Sequence, residues 1–158
     1  MIDSMKRNWL KALGLGGLAS LAGCAIAQTG GRGVATTAFN YTNRYIGDIV
    51  VDGAWAGGVD AYGGSGGKTA QGLLVPSDPA RKVVLKVGWI IADVYDVQTN
   101  KYTRMPDEKH IANVPIAWPY PVAPDYLSLH FYPDGRVEAE LVEGRPKRRI
   151  PPPTGYQR

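Results

Sequence analysis

The sequence predicts an all-β fold, a single β-sandwich-like or partly open barrel domain of about seven short antiparallel strands. Three observations predict it. After residue 33 no stretch repeats its apolar residues at a helical period long enough for a helix of useful length. Short runs with apolar residues at alternate positions recur instead, separated by Gly, Pro and Asp. Two of these runs flank Pro133-Asp134-Gly135 in phase with one another, which is a hairpin signal.

The strands are expected in the following order. Val34 to Asn40 and Tyr45 to Val51 come first, then Thr69 to Val75 after a Gly-rich stretch. Arg81 to Ala92 places Val83, Leu85, Val87, Trp89 and Ile91 on one face, with a mixed second face that suits a central strand. Ile111 to Ala117 follows. Pro119, Pro121 and Pro124 then make Trp118 to Asp125 a rigid irregular connection. Tyr126 to Tyr132 alternates cleanly, with Leu127, Leu129 and Phe131 inward and Ser128, His130 and Tyr132 outward. Arg136 to Val142 returns with Val137, Ala139 and Leu141 inward and Glu138 and Glu140 in water.

The first 33 residues have a different character. Lys6, Arg7 and Lys11 precede an apolar run, Ala12 to Leu21, that is too short to span a bilayer as a stable helix. The run closes on Leu21-Ala22-Gly23-Cys24, which resembles the lipobox of bacterial lipoproteins, in which the Cys thiol is acylated and becomes the first residue. Met5 then offers a more conventional start than Met1. Two other readings stand beside it: Ala25-Ile26-Ala27 before Gln28 fits ordinary signal cleavage, and the run could remain as an uncleaved anchor. The lipobox reading divides the chain into a signal peptide over 1–23, a Gly-rich flexible tether over 24–33, a β-rich domain over 34–143 and a tail over 144–158. The tail holds four Pro and five basic residues and is expected to be mobile. Ala25 after the Cys points to the outer membrane, facing the periplasm.

Composition narrows the function. The chain has 18 basic and 14 acidic residues, of which the leader holds three basic and one acidic. The remaining 135 residues therefore carry 15 basic and 13 acidic residues, a net charge of +2, far from the basic stripe that nucleic-acid binding calls for. Cys24 is the only Cys, so the mature domain stands without disulfides, and two His without a free thiol argue against a structural zinc site. No cofactor or metal is expected. The run Arg145-Pro146-Lys147-Arg148-Arg149 reads as a solvated basic tail before a lipid-headgroup contact.

Candidate chemistry is sparse. Tyr62-Gly63-Gly64-Ser65-Gly66-Gly67-Lys68-Thr69 invites a phosphate-loop reading, but the required first Gly is Tyr62 and no helix follows Thr69. Hydrolysis needs a nucleophile, a base and an orienting group. His130 is expected on a solvent face, His110 follows the charged turn Asp107-Glu108-Lys109, and no nucleophile elbow surrounds Ser65, Ser77 or Ser128. The expectation is a protein that is not an enzyme. Tyr41, Tyr45, Trp55, Tyr62, Tyr95, Tyr102, Trp118 and Tyr120 fall mostly at strand ends and in loops, where such side chains suit recognition surfaces as well as core corners.

Asn40-Tyr41-Thr42-Asn43-Arg44-Tyr45-Ile46, the turn Val51-Asp52-Gly53-Ala54-Trp55 and the Gly63 to Gly67 run occur in that order, followed by Val87-Gly88-Trp89 and Leu129-His130-Phe131-Tyr132-Pro133-Asp134-Gly135. Together they resemble a family of small bacterial lipoproteins classed only as a domain of unknown function, over roughly residues 38 to 142. Where members often carry adjacent cysteines, this chain has Gln71-Gly72-Leu73-Leu74, so no redox feature carries over. Genes for such proteins often lie beside type VI secretion phospholipase effectors. The resemblance thus implies an immunity lipoprotein that binds and blocks a phospholipase in the periplasm; the alternative is a structural or scaffolding envelope lipoprotein without a toxin partner. The expected contacts are the turn Asn43, Arg44 and Tyr45 and the loop residues Tyr62, Gly63, Gly64 and Lys68, with Cys24 as the lipid attachment site.

Overall fold

The structure is a computed structural model and describes residues 31–64, 73–76 and 78–157. Lys68, Cys24, the whole stretch expected to be a signal peptide and most of the expected tether lie outside the described residues. Nine strands occur among the described residues: β1 (Gly31–Asn40), β2 (Arg44–Val51), β3 (Ala54–Val59), β4 (Leu73–Pro76), β5 (Val84–Asp96), β6 (Lys101–Thr103), β7 (Glu108–Ala117), β8 (Tyr126–Phe131) and β9 (Val137–Val142). No helix occurs among the described residues.

The strands form one sheet in the order β3-β2-β5-β7-β9-β8-β1-β4, with β6 paired to β5. Of the two architectures expected, the sheet takes the barrel-like one and is nearly closed. Its β3 edge continues into residues 60–64, where Gly64 bridges Phe39 of β1 and the Gly63 carbonyl accepts the Asn40 N–H at 2.9 Å. Two neighbouring pairs, β1 with β8 and β7 with β9, are parallel, which departs from the all-antiparallel expectation. The connection from Ala117 to Tyr126 makes this possible by carrying the chain past β9 and starting β8 at the barrel end where β7 stops.

Alternation fixes the core. Leu85, Val87 and Trp89 of β5, Leu127, Leu129 and Phe131 of β8 and Ala139 and Leu141 of β9 point inward, as do Ile46, Ile49 and Val51 of β2. Each fully buried Leu or Ile contributes about 2 kcal/mol through removal from water. The inward set of β2 skips from Ile46 to Ile49 because a bulge interrupts its pairing with both β3 and β5. Asp48, at φ +44°, is the extra residue that bends and twists the strand.

Four expectations need correction. The described residues hold nine strands rather than about seven, because β3 and β6 were not expected. Residues 31–33, assigned to the tether, pair with β4 through Gly31↔Pro76, Arg32↔Val75 and Gly33↔Leu74. Ser128 and His130 are fully buried although they point away from the core, because a further layer covers that face. That layer includes the C-terminal segment expected to be a free tail. Arg148 donates to the carbonyls of Gly63 and Asn40 at 3.0 and 3.1 Å, and Tyr95 Oη donates to Gln157 O at 3.2 Å. Tyr156 packs edge-on against Tyr62 and Tyr95, with centroids 5.9 and 5.5 Å apart.

Candidate functional site

The strand directions sort the loops into two ends. One rim carries the start of β1, the β4–β5 link and the Trp118–Asp125 connection. The other carries the Tyr41–Asn43 corner, residues 60–64, the β8–β9 turn and the C-terminal segment. At this second rim lies a cleft of about 300 Å³, walled by Tyr41, Thr42, Asn43, Arg44, Tyr62, Ile91, Glu108, Tyr132, Pro133 and Gly135.

Its walls are built from a buried asparagine outward. Asn40, with no exposed surface, donates through Nδ2 to the carbonyls of Arg44 at 2.6 Å and Asp60 at 3.0 Å. Its Oδ1 accepts from the Thr42 N–H and hydroxyl at 2.9 and 2.8 Å. All four capacities of the amide are used, and the corner between β1 and β2 is fixed by one side chain. Arg44 is then latched across the sheet: Nε donates to Ala92 O at 2.6 Å and Nη2 to Glu108 Oε1 at 3.0 Å. Tyr62 sits in the left-handed region at φ +53°, a conformation that disfavours a side chain by about 1 kcal/mol. Its N–H donates to Thr42 O at 2.9 Å, and the next N–H, of Gly63, to Asp60 O at 2.9 Å.

Beneath the cleft is a polar cluster that reading the sequence missed. The His130 ring lies between Tyr41 Oη, 2.7 Å from Nδ1, and Glu140 Oε1 and Ser128 Oγ, both 3.0 Å from Nε2. The Arg149 backbone N–H donates to Tyr41 Oη at 3.0 Å, so the phenol proton goes to Nδ1 and the imidazole proton to Nε2, facing Glu140. Burial, and secondarily the Arg149 charge, hold the His130 pKa below its ordinary value, against the pull of Glu140. The ring is neutral at neutral pH. Arg149 reaches Tyr132 Oη at 2.9 Å and pairs with Glu138 and Glu140. The Arg148 guanidinium lies 5.0 Å over the Tyr41 ring. Ser128 and Glu140 meet the same imidazole nitrogen, so they do not form a relay in which base and nucleophile take opposite sides of the ring. The cluster fastens the C-terminal segment to the barrel.

The expected contact residues separate. Asn43, Arg44 and Tyr62 come together on the cleft wall. Tyr45 does not. Its ring lies along the outside of β2 and β3, where a Cβ on Gly47 would come within 2.8 Å of it and one on Gly58 within 2.4 Å of its hydroxyl. Gly63 and Gly64 serve the barrel seam rather than an open surface: a Cβ on Gly63 would meet Asp60 O at 2.9 Å, and one on Gly64 the Phe39 ring at 3.0 Å. His110 belongs to the inner face of β7, stacked on Trp89 with centroids 5.3 Å apart. The sequence signals for the missed cluster were present but ambiguous: Glu138 and Glu140 alternate as exposed residues do, and Arg148-Arg149 sits in a Pro-rich run.

No curated protein and no solved structure matches this chain significantly. A family model described as a protein of unknown function (DUF3304) matches residues 39–139, from the Phe39 bridge through the β8–β9 hairpin, and the chain belongs to that family.

Proposed function

We propose that this chain is an envelope lipoprotein, acylated at Cys24, that acts by binding and blocking another protein, the partner being a type VI secretion phospholipase effector in the periplasm. The observation that carries a binding role is the open cleft of about 300 Å³ whose wall holds Tyr62 in a strained backbone conformation. Strain of this kind persists where the surroundings over-determine a residue, and it often marks a recognition surface. The polar groups beneath the cleft satisfy one another, so the cleft offers aromatic area, the exposed Asn43 and the Arg44–Glu108 pair as contacts. Such a surface suits steric occlusion of an enzyme mouth. The phospholipase as partner comes from the resemblance of the Asn40–Ile46 and Leu129–Gly135 motifs to lipoproteins whose genes neighbour such effectors.

Co-expressing a type VI secretion phospholipase effector from the same bacterium in the periplasm, with and without this chain, tests the reading. Protection by the parent chain, and affinity reduced about tenfold by Tyr62→Ala with Asn43→Ala, is the expected result. Full lipase toxicity in the presence of stably produced parent chain would overturn it.

A further inference from the structure

We propose that the rim where the chain begins β1 is a lipid-contact face that seats the domain on a bilayer; this rests on the anchored reading above. Gly31 extends four residues beyond the first parallel partner pair, Ala35↔Tyr126, so the start of β1 projects from that rim. Arg32 there shares a cleft of about 160 Å³ with Pro79, Tyr120 and Val122. Around it stand three large apolar side chains unusually open to water: Val122 is 92 % exposed, Leu74 72 % and Trp118 57 %.

The Trp118 Nε1–H donates to Pro79 O at 3.1 Å, and Lys82 Nζ lies 5.9 Å from its ring centroid. A half-exposed indole beside a Lys is an arrangement that settles in a headgroup layer. The loop bearing Val122 is held rigid from behind, with Ala123 N–H donating to Glu143 at 2.8 Å and Asp125 N–H to Val142 O at 2.9 Å. The local acids accept from backbone donors, Asp78 from Ala80, Asp125 from Gly144 and Glu143 from Ala123, and the other Asp125 oxygen lies 3.9 Å from Arg32 Nη2. Arg81, Lys82 and Arg145 are exposed.

The occupant follows from chain length. Cys24 and Gly31 are seven residues apart, a separation that spans about 25 Å at full extension. An acyl chain on Cys24 therefore keeps this rim within that distance of the membrane. A tether so short makes even a weak contact intramolecular.

The test uses the full chain, produced with its leader in a bacterium and reconstituted into vesicles of phosphatidylethanolamine and phosphatidylglycerol. A nitroxide is placed at Val122→Cys or, on the opposite rim, at Asp134→Cys. The label at 122 should lose most of its relaxation by a water-soluble nickel chelate and gain relaxation by oxygen on reconstitution, while the label at 134 keeps its response to nickel. Equal nickel accessibility at the two positions in vesicles overturns the proposal. So does shielding at 122 already present before vesicles are added, which would mean cover by a second copy or a protein partner. Maleimide reaction of Cys24 in the parent chain would instead sink the anchored reading. The 122 label, in a Cys24→Ser background mixed with the same vesicles, would then still decide the face: protection from nickel supports it and none overturns it.

Discussion

Replacing Tyr41 by Phe removes one oxygen atom from the buried polar cluster around His130. The ring is 4 % exposed and its shape is unchanged, so packing against His130 and the Arg148 stack should survive. What is lost is the hydroxyl that donates to His130 Nδ1 at 2.7 Å and accepts from the Arg149 N–H at 3.0 Å. Moving the proton to Nδ1 does not repair the loss, since Nδ1–H then has no acceptor and bare Nε2 faces the Glu140 carboxylate. The buried His130 Nδ1 acceptor and the partly buried Arg149 N–H are left unpaired, which costs about 2 kcal/mol. For a domain of this size that is a fall in Tm of roughly 6–10 °C. Urea unfolding followed by tryptophan fluorescence should show the midpoint shifting at constant slope. Tyr132→Phe is the control, because its hydroxyl serves Glu138 and Arg149, about a third exposed on their side chains. It should lose less than about 1 kcal/mol. Equal effects of the two substitutions would refute the bridging role assigned to Tyr41.

The same cluster makes stability depend on pH. The His130 pKa is depressed below 6.5 in the fold, so as pH drops below that value the unfolded chain binds a proton that the folded chain refuses. Stability should therefore decline from about pH 6.5 toward the folded-state pKa, and His130→Gln should flatten that slope in urea midpoints measured between about pH 7.5 and 5. On β3, across the seam from β1, Gly58→Ala pushes a methyl against Tyr45 Oη and Ile46 O and should destabilise by about 1–3 kcal/mol. Gly33→Ala, which meets nothing within 4 Å, should stay within about 0.5 kcal/mol in the same assay.

The strands that were legible in the sequence are those whose alternation survives intact. β8 and β9 read correctly on their inward faces because Leu127, Leu129 and Phe131 and then Ala139 and Leu141 alternate without interruption. β3 was illegible for a physical reason. Ala54-Trp55-Ala56-Gly57-Gly58-Val59 has little intrinsic strand preference, and Gly58 is there to admit the Tyr45 side chain from the neighbouring strand. The outward face of β8 misled because alternation reports which side faces the core, not whether a second layer covers the other side. Arg148 and Arg149 supply that layer from the far end of the sequence, and a Pro-rich basic run by itself looks like a solvated tail. At the cleft, Asn43, Arg44 and Tyr62 were legible as an aromatic-polar group at turns, whereas Glu108 and Tyr132 arrive from strands that pattern alone does not bring together.

The barrel seam joins groups far apart in the order of synthesis. Arg148 bonds to one carbonyl 108 residues earlier and another 85 residues earlier, one on each side of the gap between β1 and residues 60–64. A chain that leaves the ribosome or a translocation channel N-terminus first can join Phe39 and Asn40 to residues 60–64 early, but the circle is completed only when β8 and β9 arrive to link β1 with β7, and Arg148 then clasps the seam. Closure is thus a late, non-local event, slower than local pairing because a long loop must be restricted before any bond is gained. Nascent or clipped chains ending before β9 leave the edges of β7 and β1 unpaired, and quality-control proteases meet them as incomplete cylinders rather than as folded proteins.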